Sequence, residues 1–161
     1  DTDVYLAGAN AITRDGKLVY IDGTGNRVSA ITFAVPRPII IAGTNKIVDN
    51  VDAGIERIKN VISPEHARRR KRNLPCAKTL KCSDCKAPER QCNITVILER
   101  RPRLARICVV IVGEDLGLGW DPAWPEERIN RIRDAYYDVS EVFKLPPSFL
   151  VSPQKPIGSK A

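Results

Sequence analysis

Gly8-Ala9-Asn10-Ala11-Ile12-Thr13-Arg14-Asp15-Gly16-Lys17-Leu18-Val19-Tyr20-Ile21-Asp22-Gly23-Thr24-Gly25-Asn26-Arg27 is the stretch on which the fold turns. Asp15-Gly16 lies between Ala11-Ile12-Thr13 and the run Lys17 to Ile21, which predicts a tight hairpin with Gly16 supplying a positive φ. The second strand runs into Asp22-Gly23-Thr24-Gly25-Asn26-Arg27. Two glycines there leave backbone N–H groups uncovered, and Thr24, Asn26 and Arg27 add donors suited to an anionic oxygen. The loop is neither a dinucleotide-binding G-x-G-x-x-G nor a P-loop. It reads either as the ligand-binding end of a sheet or as a Gly-rich connection without a ligand, and spacing does not separate the two.

On either side of this stretch the apolar pattern continues. Val4 to Ala7 is expected to be a short buried strand. Val28 to Phe33 is open between a helical turn and a strand, because short apolar runs do not reveal their period. Pro36-Arg37-Pro38 breaks that run, and Ile39-Ile40-Ile41-Ala42 fits a central strand covered on both faces. Gly43-Thr44-Asn45-Lys46 leaves its carboxyl end as a second polar loop. Asp49 or Asn50 can cap a helix carrying Ile55, Ile58 and Ile62 on one face, with Ser63-Pro64 expected to stop it. Ile94 to Leu98 and Ile107 to Val112 read as central strands. Gly113 to Trp120 is a further loop that could line the same pocket, with Glu114 and Asp115 its carboxylates. A helix from Pro125 has Ile129, Ile132, Tyr136, Val139 and Phe143 at amphipathic spacing, ended by Pro146-Pro147. Strands mixed with helices, and loops leaving strand carboxyl ends, argue an α/β layered fold with a mostly parallel central sheet.

Cys76, Cys82, Cys85 and Cys92 follow a C-x5-C-x2-C-x6-C spacing within 17 residues. Four soft ligands so placed fit one all-thiolate metal site, and the single CxxC pair leaves an iron–sulfur cluster and zinc both open. Disulfides and free thiols are the alternatives. Cys108, inside an apolar strand, is expected in the core.

The hairpin stretch, continued by Val28 and by Gly43-Thr44-Asn45-Lys46-Ile47-Val48, resembles the LUD-domain family of lactate-utilisation proteins. The segment Pro75-Cys76 to Cys92 resembles the same family. The resemblance implies a NagB/RpiA/CoA-transferase-like architecture with a hairpin and Gly-rich loop beside the active site. It implies a subunit that works with iron–sulfur partners in oxidising L-lactate to pyruvate, which favours an iron–sulfur cluster at Cys76, Cys82, Cys85 and Cys92, with zinc as the alternative. It also favours the ligand-binding reading of the loop, with Asn10, Asp22, Gly23, Thr24, Gly25, Asn26, Arg27, Asn45 and Lys46 as the contacts. Arg27 is expected to be the main anion contact, because its fork can take a carboxylate or phosphate through paired hydrogen bonds. Because LUD proteins carry further segments ahead of the hairpin, and this sequence has no Met and starts Asp1-Thr2-Asp3, an N-terminally incomplete domain is expected.

The 161 residues, 43% of them apolar, suit one domain over residues 1–150 with a Cys-rich insertion at 75–93 and a flexible tail over 151–161. No run of ~18 apolar residues and no charged leader is visible, from which a cytoplasmic protein is expected. The net charge of +7 is concentrated in residues 65–106, which hold 13 Lys/Arg against 4 Asp/Glu. Such a patch reads as a solvated face with a small anion added. Few aromatics for base stacking argue against a nucleic-acid partner. His66 is the only histidine, which rules out a triad or multi-histidine metal site made from these residues alone. Its place before an arginine run predicts a surface position. Beside the lactate-utilisation reading stand an isomerase or acyl-transfer enzyme acting on a phosphosugar or thioester and, weaker, a metal-stapled nucleic-acid-binding module.

Overall fold

Thr13 closes the turn on which the hairpin folds back. Its backbone N–H donates to Lys17 O at 2.9 Å, its carbonyl accepts from Gly16 N at 2.9 Å, and its Oγ1 accepts from Lys17 N at 2.8 Å. Gly16 sits at φ +88°, where other residues are strained. The computed structural model describes residues 3–142, so the expectations for Phe143, Pro146-Pro147 and the tail fall outside the described residues.

The strands are β1 (Val4–Gly8), β2 (Ala11–Thr13), β3 (Leu18–Asp22), β4 (Arg37–Gly43), β5 (Ile47–Val48), β6 (Ile94–Leu98) and β7 (Cys108–Val112). The α-helices are α1 (Asn26–Ser29), α2 (Val51–Arg57), α3 (Ser63–Arg69), α4 (Pro75–Thr79) and α5 (Glu126–Val142). The hairpin β2–β3 lies in a four-stranded sheet of order β5-β2-β3-β6, and a parallel three-stranded sheet has the order β1-β4-β7. Parallel pairings predominate, as an α/β fold requires, but they are divided between two sheets.

All five residues of β3 are buried, and its alternation splits the core. Ala11, Val19 and Ile21 pack against Ile58, Ile62, Trp120 and Ile132 on the helical side. Ile12, Leu18 and Tyr20 pack on the other side against Val28, Ile31, Ile40 and Ala42, tying the two sheets together. Val28 to Phe33 resolves as helix, α1 running into a π-helical turn over Ala30–Ala34.

Several expectations are corrected. β1 is an edge strand whose Leu6 is 63% exposed, so Val4 to Ala7 is not a buried strand. β4 is central, yet of its run Ile39 to Ala42 only Ile40 and Ala42 are buried while Ile41 is exposed. β6 and β7 are edges of their sheets, and Cys108 is exposed. Pro64 does not stop the helix. A π-helical turn over Ile58–Ile62 intervenes, with Ser63 N–H bonding to Ile58 O five residues back, and Pro64 then falls in the first turn of α3, where its missing N–H is tolerated. Asn50 caps α2 as expected, accepting from Ala53 N at 2.9 Å.

Gly43 ends β4 where a neighbouring loop passes over the backbone. A Cβ there would collide with Leu116 N and Glu114 O and lie 2.7 Å from Asn45 Oδ1, whereas one on Gly113 would meet nothing within 4 Å. Gly43→Ala is expected to destabilise the fold by about 3 kcal/mol and Gly113→Ala by no more than about 0.5 kcal/mol, read from chemical denaturation.

Candidate functional site

The polar turn after β4 is built from three consecutive residues that each hold the Gly113 to Trp120 loop. Thr44 N donates to Glu114 O at 2.9 Å. Asn45, fully buried, donates from Nδ2 to Gly117 O and Gly119 O, both at 3.0 Å, and accepts from Leu116 N at 3.0 Å through Oδ1. Lys46 Nζ donates to Leu118 O. Arg57 braces the turn from α2, donating to Asn45 O at 3.1 Å and Ile47 O at 2.9 Å.

This packing leaves a cavity of about 350 Å³ lined by Asn10, Asp22, Gly23, Arg27 and Lys46, and by Ser63, His66, Gln91, Leu118 and Tyr136. The Asp22-to-Arg27 loop and the Gly43-to-Lys46 turn, distant in sequence, therefore meet at one cavity. Not every predicted contact reaches it. Thr24 and Asn26 are exposed, Gly25 caps α1 at φ +87°, and Asn45 is buried under the loop it holds. Glu114 and Asp115 line a larger neighbouring cavity instead, where Arg128 holds the Asp115 carboxyl below its ordinary pKa.

The two cations of the cavity differ in what they meet. Arg27 Nη2 donates to Asn10 Oδ1 at 2.8 Å, Ile21 O at 3.1 Å and Asp22 Oδ1 at 2.7 Å, while Asp22 Oδ2 accepts from Val28 N at 3.1 Å. Its charge is thus met by Asp22. Lys46 is 8% exposed and forms no ion pair among the described residues. Burial, then the nearby charges of Arg57 and Arg27, bring its pKa down to about 8.

His66 is the residue the sequence reading misplaced. It lies on α3, half-buried, with Nδ1 2.5 Å from Tyr136 Oη of α5. Burial first, and then Arg70, Arg69, Arg27 and Arg72, lower its pKa to about 4, so the imidazole is neutral at physiological pH. The signal for it was present: Ile58, Ile62 and His66 fall at four-residue spacing on one helical face once Pro64 is allowed inside the helical path. Tyr136 falls on the apolar face of its helix, and nothing in the sequence pattern marks its hydroxyl as a partner for His66.

Cys76, Cys82, Cys85 and Cys92 line a separate cavity of about 20 Å³, and Ser63 and Gln91 contribute to both. All four are free thiols. Among the described residues no three His, Cys, Asp or Glu side chains stand in a metal-holding arrangement.

The family model described as LUD domain matches residues 1–112, more than half of the chain. The chain belongs to the LUD-domain family. A search of curated proteins and a search of solved structures return no match to it. The LUD match takes in the hairpin, both glycine loops and every cysteine, whereas Leu118 and Tyr136 of the cavity wall lie beyond it. Among the described residues of this LUD protein no helix is long and apolar enough to cross a membrane.

The neutral His66 gives stability a direction with pH. Its folded pKa of about 4 lies below the ordinary 6.5, so the unfolded chain takes up a proton that the fold does not. This contribution is complete above pH ~6.5 and is lost as pH falls toward 4. Urea unfolding is expected to show that the protein loses about 2 kcal/mol more than His66→Gln does between pH 7 and pH 4.5. Parallel losses would place the acid sensitivity elsewhere.

Proposed function

We propose that this LUD protein binds a small carboxylate or phosphorylated anion in the cavity at Lys46, and that it serves with iron–sulfur partner subunits in oxidising L-lactate to pyruvate in the cytoplasm. The family supports the lactate-utilisation setting. The observation that carries the ligand class is Lys46: a nearly buried ammonium facing a cavity, with one backbone acceptor and no carboxylate partner among the described residues. Burial without a counter-charge is costly for a cation, and an entering anion relieves that cost. The charge of Arg27 is met by Asp22 and its Nη2 is committed to Asn10 and Asp22, although its buried Nε has no partner, so Lys46 takes the leading role in charge recognition. The chain's part is to hold and orient the anion, and electrons pass to the partners.

A second reading, an isomerase or acyl-transfer enzyme of the NagB/RpiA/CoA-transferase-like type, is favoured by the neutral His66 held at Tyr136 beside Lys46. That trio could move a proton on a phosphosugar or thioester. Binding preference separates the two readings: L-lactate and pyruvate on one side, a sugar phosphate on the other.

Lys46→Met keeps the length of the side chain and removes its charge. It is expected to weaken binding of L-lactate or pyruvate at least ten-fold by calorimetry, with the fold retained by circular dichroism. An anion on Lys46 raises its pKa, so binding takes up a proton once free Lys46 begins to deprotonate. Affinity is therefore flat between pH 6 and 7 and falls above pH ~8 by up to about ten-fold per pH unit. A Lys46→Met protein with unchanged affinity and a flat pH profile would refute the assignment.

A further inference from the structure

Between Leu80 and Asn93 the chain forms neither helix nor strand, yet it is tightly organised. Arg90 donates to three points of this segment: Nη1 to Cys85 O at 2.5 Å, Nε to Cys92 O at 3.1 Å and Nη2 to Asp84 Oδ1 at 2.7 Å. Asp84, between the cysteines of the CxxC pair, adopts φ +46°, and its N–H points to Cys82 Sγ at 3.4 Å. Cys82 and Cys85 line one small cavity. Cys76, from the first turn of α4, and Cys92, whose Sγ lies 3.2 Å from Ser63 Oγ, reach the same small cavity.

We propose that Cys76, Cys82, Cys85 and Cys92 form a single-ion thiolate site for a zinc-class divalent cation. The cavity of about 20 Å³ has room for about one water-sized sphere, a space that one tetrahedral ion fills. Binding draws the sulfurs inward and exchanges their protons, released to solvent, for bonds to the metal. Four thiolates around a divalent ion leave a dianion, and Lys59 and Arg90 line the same cavity. The site also braces the anion cavity. Gln91 Nε2 donates to Ser63 O at 2.8 Å, and Asn93 N donates to Asp22 O at 2.9 Å, so the returning segment forms part of that wall.

The test uses the full chain purified without oxygen, stripped by a chelator and titrated with Co2+ and then Zn2+. One Co2+ per chain is expected, with the charge-transfer absorption of tetrahedral thiolate coordination, displaced by equimolar Zn2+. Zn2+ should also protect every thiol but Cys108 from a thiol reagent. Cys85→Ser should lower the affinity at least a hundred-fold and Cys108→Ser should leave it unchanged. If Cys85→Ser does not fold, the protection pattern of the unaltered protein decides. Zn2+ that leaves these four thiols reactive overturns the proposal, and stoichiometric iron and sulfide in the purified protein overturn the single-ion form of it.

Discussion

A buried primary amide must find partners, and Asn45 finds all of its partners on one loop. With Gly117 O, Gly119 O and Leu116 N on its side chain, it fixes a loop more than 70 residues away against the end of β4. Any of those groups left unpaired at this depth would cost about 1–3 kcal/mol, so the loop has little freedom to sit elsewhere. The rest follows from that placement. Leu118 and Trp120 enter the helical-side core, Leu118 O becomes the acceptor for Lys46, and the cavity acquires its wall.

The electrostatics of the cavity come from an unequal division of charge. Arg27, Asp22 and Asn10 form a set near the hairpin, the guanidinium matched by one carboxylate and tied through Nη2 to a backbone carbonyl, while its buried Nε has no hydrogen-bond partner. Lys46 has no such match among the described residues. His66 adds no charge, because burial and the surrounding arginines keep it neutral. Among the described residues a small anion therefore finds one cation without an ion-pair partner and a neutral hydrogen-bonding rim, an arrangement that selects by charge and size.

The hairpin was legible in the sequence because two local signals agreed there, the Asp15-Gly16 turn and the alternation of Leu18, Val19, Tyr20 and Ile21. The Gly43 turn was legible for a similar reason, a glycine and polar run directly after a β-branched strand. Edge and centre were not legible: β1, β6 and β7 are apolar strands, and apolar composition does not say how many neighbours a strand has. Cys108 was misplaced for the same reason. The Pro64 reading failed on a local rule that a π-helical turn sets aside, and with it went the one histidine of the cavity. The choice between Arg27 and Lys46 depended on which cation Asp22 would reach, and that contact is set by tertiary packing.

Selective isotopic labelling of the lysine side chains, followed by NMR titration of the ammonium and adjacent methylene signals, tests the central claim most directly. With Lys46→Met assigning the resonance, Lys46 in the free protein is expected to titrate near pH 8. Addition of pyruvate should move the Lys46 midpoint upward. A Lys46 resonance that titrates near pH 10.5, indifferent to the anion, would contradict the account.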